Sequence, residues 1–196
     1  MVETIAPVVY GRRRSYYFAV ALHAFFATVT AAVLGLVLGT VGAALGAPWD
    51  GAGWIVAAAI AAVYTLRELM RLPVPLFDRR RQVPEWWRTF YPRYVAASLY
   101  GAGLGIGFLT FLSFGTFVVV IAIALLAGDP LIGMLMVAPF GLARGLSVLV
   151  SASTTDEEGP LELVTKLGHP ARVRAVKRLN GIACATVAVG AVGQLL

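Results

Sequence analysis

Charge is scarce in this chain: only 13% of its 196 residues are Asp, Glu, Lys or Arg, against about 25% in an ordinary soluble domain. With 59% of the residues hydrophobic, too little polar material remains to coat a water-soluble core. Tyrosines and Cys184 aside, residues 15–66 hold His23 and Asp50 as their only ionisable side chains, residues 94–155 hold Asp129 and Arg144, and residues 179–196 hold none. Cysteine is nearly absent as well. Cys184 stands alone, which excludes an internal disulfide and a thiolate metal cluster, so it reads as a small packing residue in an apolar run. No Ser/His/Asp arrangement, metal-ligand spacing or phosphate loop is present. The sequence therefore assigns no catalytic residue, no metal and no cofactor, and the chain is not read as an enzyme.

What the chain has in quantity is long apolar runs. They cover residues 17–46, 53–70, 94–128, 131–153 and 178–196, rich in Ala, Val, Leu, Ile and Gly. Runs of this length match the roughly 20 residues needed to cross a bilayer. They lack the alternation of a barrel, and in lipid a backbone must satisfy its own hydrogen bonds, so the segments should be helices. The expectation is an all-α integral membrane protein of about five transmembrane helices, forming a single transmembrane domain over residues 1–196. The first run is longer than the core of a cleaved signal. Residues 94–128 are too long for one simple crossing: as one helix they would extend about 52 Å against a hydrocarbon core of about 30 Å. Either this helix tilts and protrudes or it breaks, and Gly107, Ser113, Gly115 and Thr116 mark where.

Every lysine and arginine except Arg144 falls in one of three blocks. These are Arg12–Arg14, the linker from Arg67 to Arg93, and the linker from Lys166 to Arg178. The two intervening turns hold no basic residue. The positive-inside rule then places the 1–16 tail and the 71–93 and 154–177 linkers in the cytoplasm, with the C-terminus outside a plasma membrane. The net charge of +6 is explained by orientation and does not call for nucleic acid. The partners expected are the lipid bilayer and other membrane subunits or a second copy of the chain. Val83–Arg93, which includes Trp86, Trp87 and Phe90, reads as an interfacial segment in the inner headgroup layer.

Two kinds of residue stand out inside the runs. Gly101, Gly103, Gly105 and Gly107 pair at four-residue spacing, and Gly35 and Gly39 repeat the device. Small residues so spaced let helix backbones approach closely. Polar groups are the other kind. Arg144, in PFGLARGLS, costs at least about 2.5 kcal/mol at the centre of a span and should find a cavity, a partner helix or the headgroups. It is expected to point toward Thr110–Thr116. Thr110, Ser113, Thr116 and His23 complete the candidate cavity, although hydroxyls in such helices usually bond their own backbone.

Two stretches carry a family resemblance. IALLAGDPLIGMLMVAPFGLARGLSVLV at residues 123–150 and GWIVAAAIAAVYTLRELMRLPVPLFDRRR at residues 53–81 resemble the CcdA/DsbD membrane-domain superfamily, which passes reducing equivalents across membranes. That family's broken helices carry Pro-Cys where this chain has Thr110–Phe111–Leu112. Thiol–disulfide exchange needs an attacking thiolate and a resolving partner. The resemblance thus implies a cysteine-less, shortened relative acting as a small transporter or permease-like protein. Its alternatives are a structural or assembly subunit and, against the cysteine count, a thiol–disulfide electron carrier.

Overall fold

The computed structural model describes residue 5 and residues 7–70, 72–74, 86–107, 115–153, 165–166 and 168–193. Among them the ordered structure is helical, with no strand. In chain order the helices are α1 (Pro7–Tyr10), α2 (Arg13–Ala44), α3 (Asp50–Met70), α4 (Trp86–Phe90), α5 (Arg93–Gly105), α6 (Thr116–Leu126), α7 (Pro130–Leu146), a 3-10 turn (Ser147–Ser153) and α8 (Pro170–Gly193). Among the described residues, four helical stretches are long and apolar enough to cross a membrane: Arg13–Ala44, Gly51–Met70, Pro130–Ala152 and Pro170–Gly193. The chain therefore has the make-up of a helical membrane protein.

Helix α2 is the spine. It packs against α7 along one face and α5 along another, and α6 fills the space beside them. Small residues make these approaches possible. A β-carbon on Gly35 or Gly39 would overlap the carbonyl of Gly133 or of Asp129, and one on Gly141 would overlap Ala27. On the other face Gly101 abuts the His23 carbonyl, and Gly105 abuts Ala27 and Thr30. Gly103 is buried in the same helix. Ala19, Ala27 and Ala31 of α2 are fully buried. In lipid, burial of apolar surface supplies little drive between helices, so close van der Waals contact has to. The same close approach puts the Thr30 hydroxyl 3.0 Å from the Ala102 carbonyl, a bond across the α2–α5 joint.

Residues 94–128 are not one continuous helix. Helix α5 stops at Gly105 and α6 starts at Thr116. Gly107 has φ +72 and lies under the Phe117 ring, where a β-carbon would collide. At the far end of α6, Gly128 turns the chain with φ +61, and Asp129 caps α7 by accepting from the N–H groups of Leu131 (2.7 Å) and Ile132 (2.9 Å). With Pro130 at its first position, this helix start follows directly from the Asp–Pro pair.

Helices α3 and α8 form a second pair, joined to the spine mainly through α6. Ala61, Tyr64, Val119 and Cys184 are its buried core. Helix α8 begins at Pro170, so Arg172, Arg174, Lys177 and Arg178 sit on exposed helical turns, inside what the sequence reading assigned to a linker. Arginine and lysine are good helix formers, and their long stems let a helix extend past the apolar layer. The end of the bundle where α2 begins is tied together by side chains. The Tyr16 hydroxyl donates to the Val148 carbonyl (3.2 Å), and the Ser151 hydroxyl lies 3.0 Å from the Ile5 carbonyl. The Tyr10 hydroxyl donates to the Arg93 carbonyl (3.3 Å). Burial, reinforced by Tyr94 and opposed by Arg93, pushes the Tyr10 phenol above its usual pKa. Trp86, Phe90 and Tyr91 cluster around α4 with their rings exposed.

Candidate functional site

Among the described residues, the polar side chains His23, Arg144 and Thr116 each have different hydrogen-bond partners. Thr110 and Ser113 lie outside the described residues.

His23 is fully buried where α2 meets α5, with Nδ1 3.0 Å from the Ala97 carbonyl. Its Nε2 has no hydrogen-bond partner among the described residues. Gly101 on α5 provides the close approach that brings the two helices together there.

Arg144, on the last turn of α7, donates from Nη1 to the Leu104 carbonyl at 3.2 Å. Its guanidinium carbon lies 5.5 Å from the centre of the Phe140 ring. Leu104 is one residue before α5 ends, and its carbonyl also accepts from the Gly107 N–H at 3.2 Å. The arginine thus serves the protein interior at the end of α5. Gly145, packed on Ala24, and Gly141, packed on Ala27, let α7 sit close to the spine at this depth.

Thr116 belongs to another group, at the junction of α3, α6 and α8. Its hydroxyl donates to Asn180 Oδ1 and lies 3.8 Å from Cys184 Sγ. The centre of this group is Glu68, which the sequence reading passed over. Glu68 is 4% exposed. Its Oε1 accepts from the Gly115 N–H at 3.0 Å and from Arg67 Nη1, with which it forms an ion pair. Arg67 also donates from Nε to the Val74 carbonyl at 3.0 Å. Glu68 Oε2 is buried with no hydrogen-bond partner among the described residues.

The physical logic starts at α6. A helix that begins inside a bundle exposes N–H groups that water cannot reach. The Glu68 carboxylate meets one of them and also suits the positive end of the helix dipole. Arg67 balances the charge, as a buried carboxylate requires. Glu68 escaped notice because it adjoins Arg67 and Arg71 in sequence and reads as part of a basic linker. The signal that marks it is periodicity: Ala61, Tyr64 and Glu68 recur at helical spacing, and all three are buried. No group of three His, Cys, Asp or Glu side chains able to hold a metal ion occurs among the described residues.

No protein-family model matches the chain, and no solved structure matches it. Curated relatives do. Methylamine utilization protein MauF of Paracoccus versutus is 34% identical over 135 residues, covering 67% of this chain and 48% of that protein. The MauF of Methylorubrum extorquens is 33% identical over 133 residues, covering 66% and 46%. The MauF of Paracoccus denitrificans is 32% identical over 133 residues, covering 67% and 48%. The chain spans about half the length of the curated relatives it matches. These relatives overturn the CcdA/DsbD resemblance, and with it the transporter or permease-like reading, the assembly-subunit alternative and the thiol-carrier alternative. The resemblance rested on Gly, Pro and apolar residues, which any tightly packed membrane bundle needs. Over two thirds of its length, this chain is similar to MauF.

Proposed function

We propose that this chain is a multi-pass membrane protein that serves methylamine utilization. The observation that carries the reading is the 34% identity over 135 residues to a protein of that name. The aligned length equals two thirds of this chain, so the likeness extends beyond a single apolar run. In this reading α5 and α6 together make a fifth crossing, interrupted between Gly105 and Thr116. The basic ends of α2, α3 and α8 lie in the cytoplasm and the Asp129 turn lies outside. The partition of Lys and Arg supports that orientation, and the interfacial rings of Trp86 and Tyr91 fit an inner headgroup layer. Large exposed apolar residues along α2, α3, α7 and α8, such as Phe25, Ile55, Leu135 and Val189, suit contact with lipid.

The test is growth. The gene is deleted in its host, and the strain is grown with methylamine as sole nitrogen source and, in parallel, with ammonium. The expected result is a defect confined to methylamine and reversed by the intact gene. Equal growth on both sources refutes the reading.

A further inference from the structure

Among the described residues, the buried side-chain atoms without a hydrogen-bond partner are His23 Nε2 and Glu68 Oε2. The first is one nitrogen of an imidazole whose other nitrogen is bonded. The second is an oxygen of a carboxylate, which can accept about four hydrogen bonds across its two oxygens.

The hydrogen bonds around Glu68 are unevenly divided. Donors are engaged: the Gly115 N–H and Arg67 Nη1 go to Oε1, the Thr116 O–H goes to Asn180 Oδ1, and Asn180 Nδ2 donates to the Val176 carbonyl at 3.0 Å. Acceptor capacity is left over at Glu68 Oε2, on one lone pair of the Thr116 oxygen, whose other side the Cys184 thiol approaches at 3.8 Å, and on the second lone pair of Asn180 Oδ1. A buried corner with spare acceptors and a carboxylate selects a ligand with several N–H donors.

Glycines bring the helices close together at this corner. A β-carbon on Gly181 would collide with the Leu69 side chain, and one on Gly115 would collide with the Tyr64 ring. The corner is therefore closely packed on these two sides, and an aromatic face borders it. Thr116 and Asn180 are half-buried, as is Arg67, so the corner can be approached from their side while Glu68 stays covered.

We propose that Glu68, Thr116 and Asn180 form a binding site for a small primary amine in its ammonium form. One N–H points to Glu68 Oε2 and the others to the Thr116 and Asn180 oxygens. Arg67 remains on Oε1, anchored through Nε to the Val74 carbonyl. The donor and acceptor arrangement stands by itself, and only the choice of methylamine as the amine rests on the proposed function.

The experiment measures equilibrium binding of radiolabelled methylammonium chloride to the full chain in lipid nanodiscs. Saturable binding is expected. Ethylammonium should compete, and tetramethylammonium, which has the charge but no N–H, should not. Glu68→Gln and Asn180→Leu should each weaken binding about tenfold or more, and Gly190→Ala, where a β-carbon meets open space, should leave it unchanged. Should Glu68→Gln fail to fold, Asn180→Leu and Thr116→Val at half-exposed positions decide the matter. No saturable binding, equal competition by tetramethylammonium, or undiminished binding in the folded variants overturns the site. A deletion strain that grows normally on methylamine refutes the pathway reading but leaves a positive binding result standing.

Discussion

Gly35 of α2 and Gly133 of α7 face each other backbone to backbone, and each occupies the place where the other's β-carbon would collide with a carbonyl. The contact admits nothing larger, because the obstructing atoms are main chain and cannot rotate away. Gly133→Ala should therefore destabilise the bundle by about 1–3 kcal/mol, the usual effect of overpacking. Gly190→Ala, where a β-carbon meets open space, should leave stability unchanged or slightly raised, because Ala is the better helix former. Thermal unfolding in detergent compares the two. Equal melting temperatures would show that α2 and α7 do not pack through this pair.

The ion pair at Glu68 makes a second prediction. Arg67→Leu leaves a carboxylate buried without its counter-charge, so it should destabilise by about 3–5 kcal/mol. Adding Glu68→Gln should recover much of that loss, since the charge is then gone and an oxygen still faces the Gly115 N–H. A double-mutant cycle measures this coupling. Additive effects would mean that the two side chains do not interact.

Arg144 should behave as an internal donor. Arg144→Leu removes the bond to the Leu104 carbonyl and should lower stability by about 1.5–3 kcal/mol, while insertion improves because a charge has been removed. Arg144→Lys should fall between the two, since it keeps a charge but loses the planar fork. Unfolding in nanodiscs reads the first effect and membrane-fraction yield the second. An Arg144→Leu protein as stable as the parent would return this residue to the role of a headgroup anchor.

Orientation can be tested with thiol labelling, because Cys184→Ala gives a cysteine-free background. New cysteines near Lys166 should be shielded from impermeant reagents in intact cells. New cysteines in the Gly128–Pro130 turn should react. The reverse pattern would invert every helix.

Much of the helix inventory was legible in the chain. Scarce charge and long apolar runs marked the membrane class, and the excess length of residues 94–128, together with Gly107 and Gly115, marked where one helix ends and another begins. The Asp129–Pro130 start of α7 needed only local chemistry, since a capping carboxylate and a proline act within one turn.

Other features depended on residues far apart in sequence. Glu68 stands beside arginines in the chain, yet its environment is supplied by Gly115 and Gly181 from other helices. The Leu104 carbonyl that Arg144 meets and the Asn180 oxygen that Thr116 meets lie 40 and 64 residues away in the chain. Hydropathy depends on each run's own composition and tells which segments leave water. It carries no information about which face meets which neighbour. That choice is made where glycines let two backbones touch, so only the tertiary structure decided which distant partners Glu68, Thr116 and Arg144 meet.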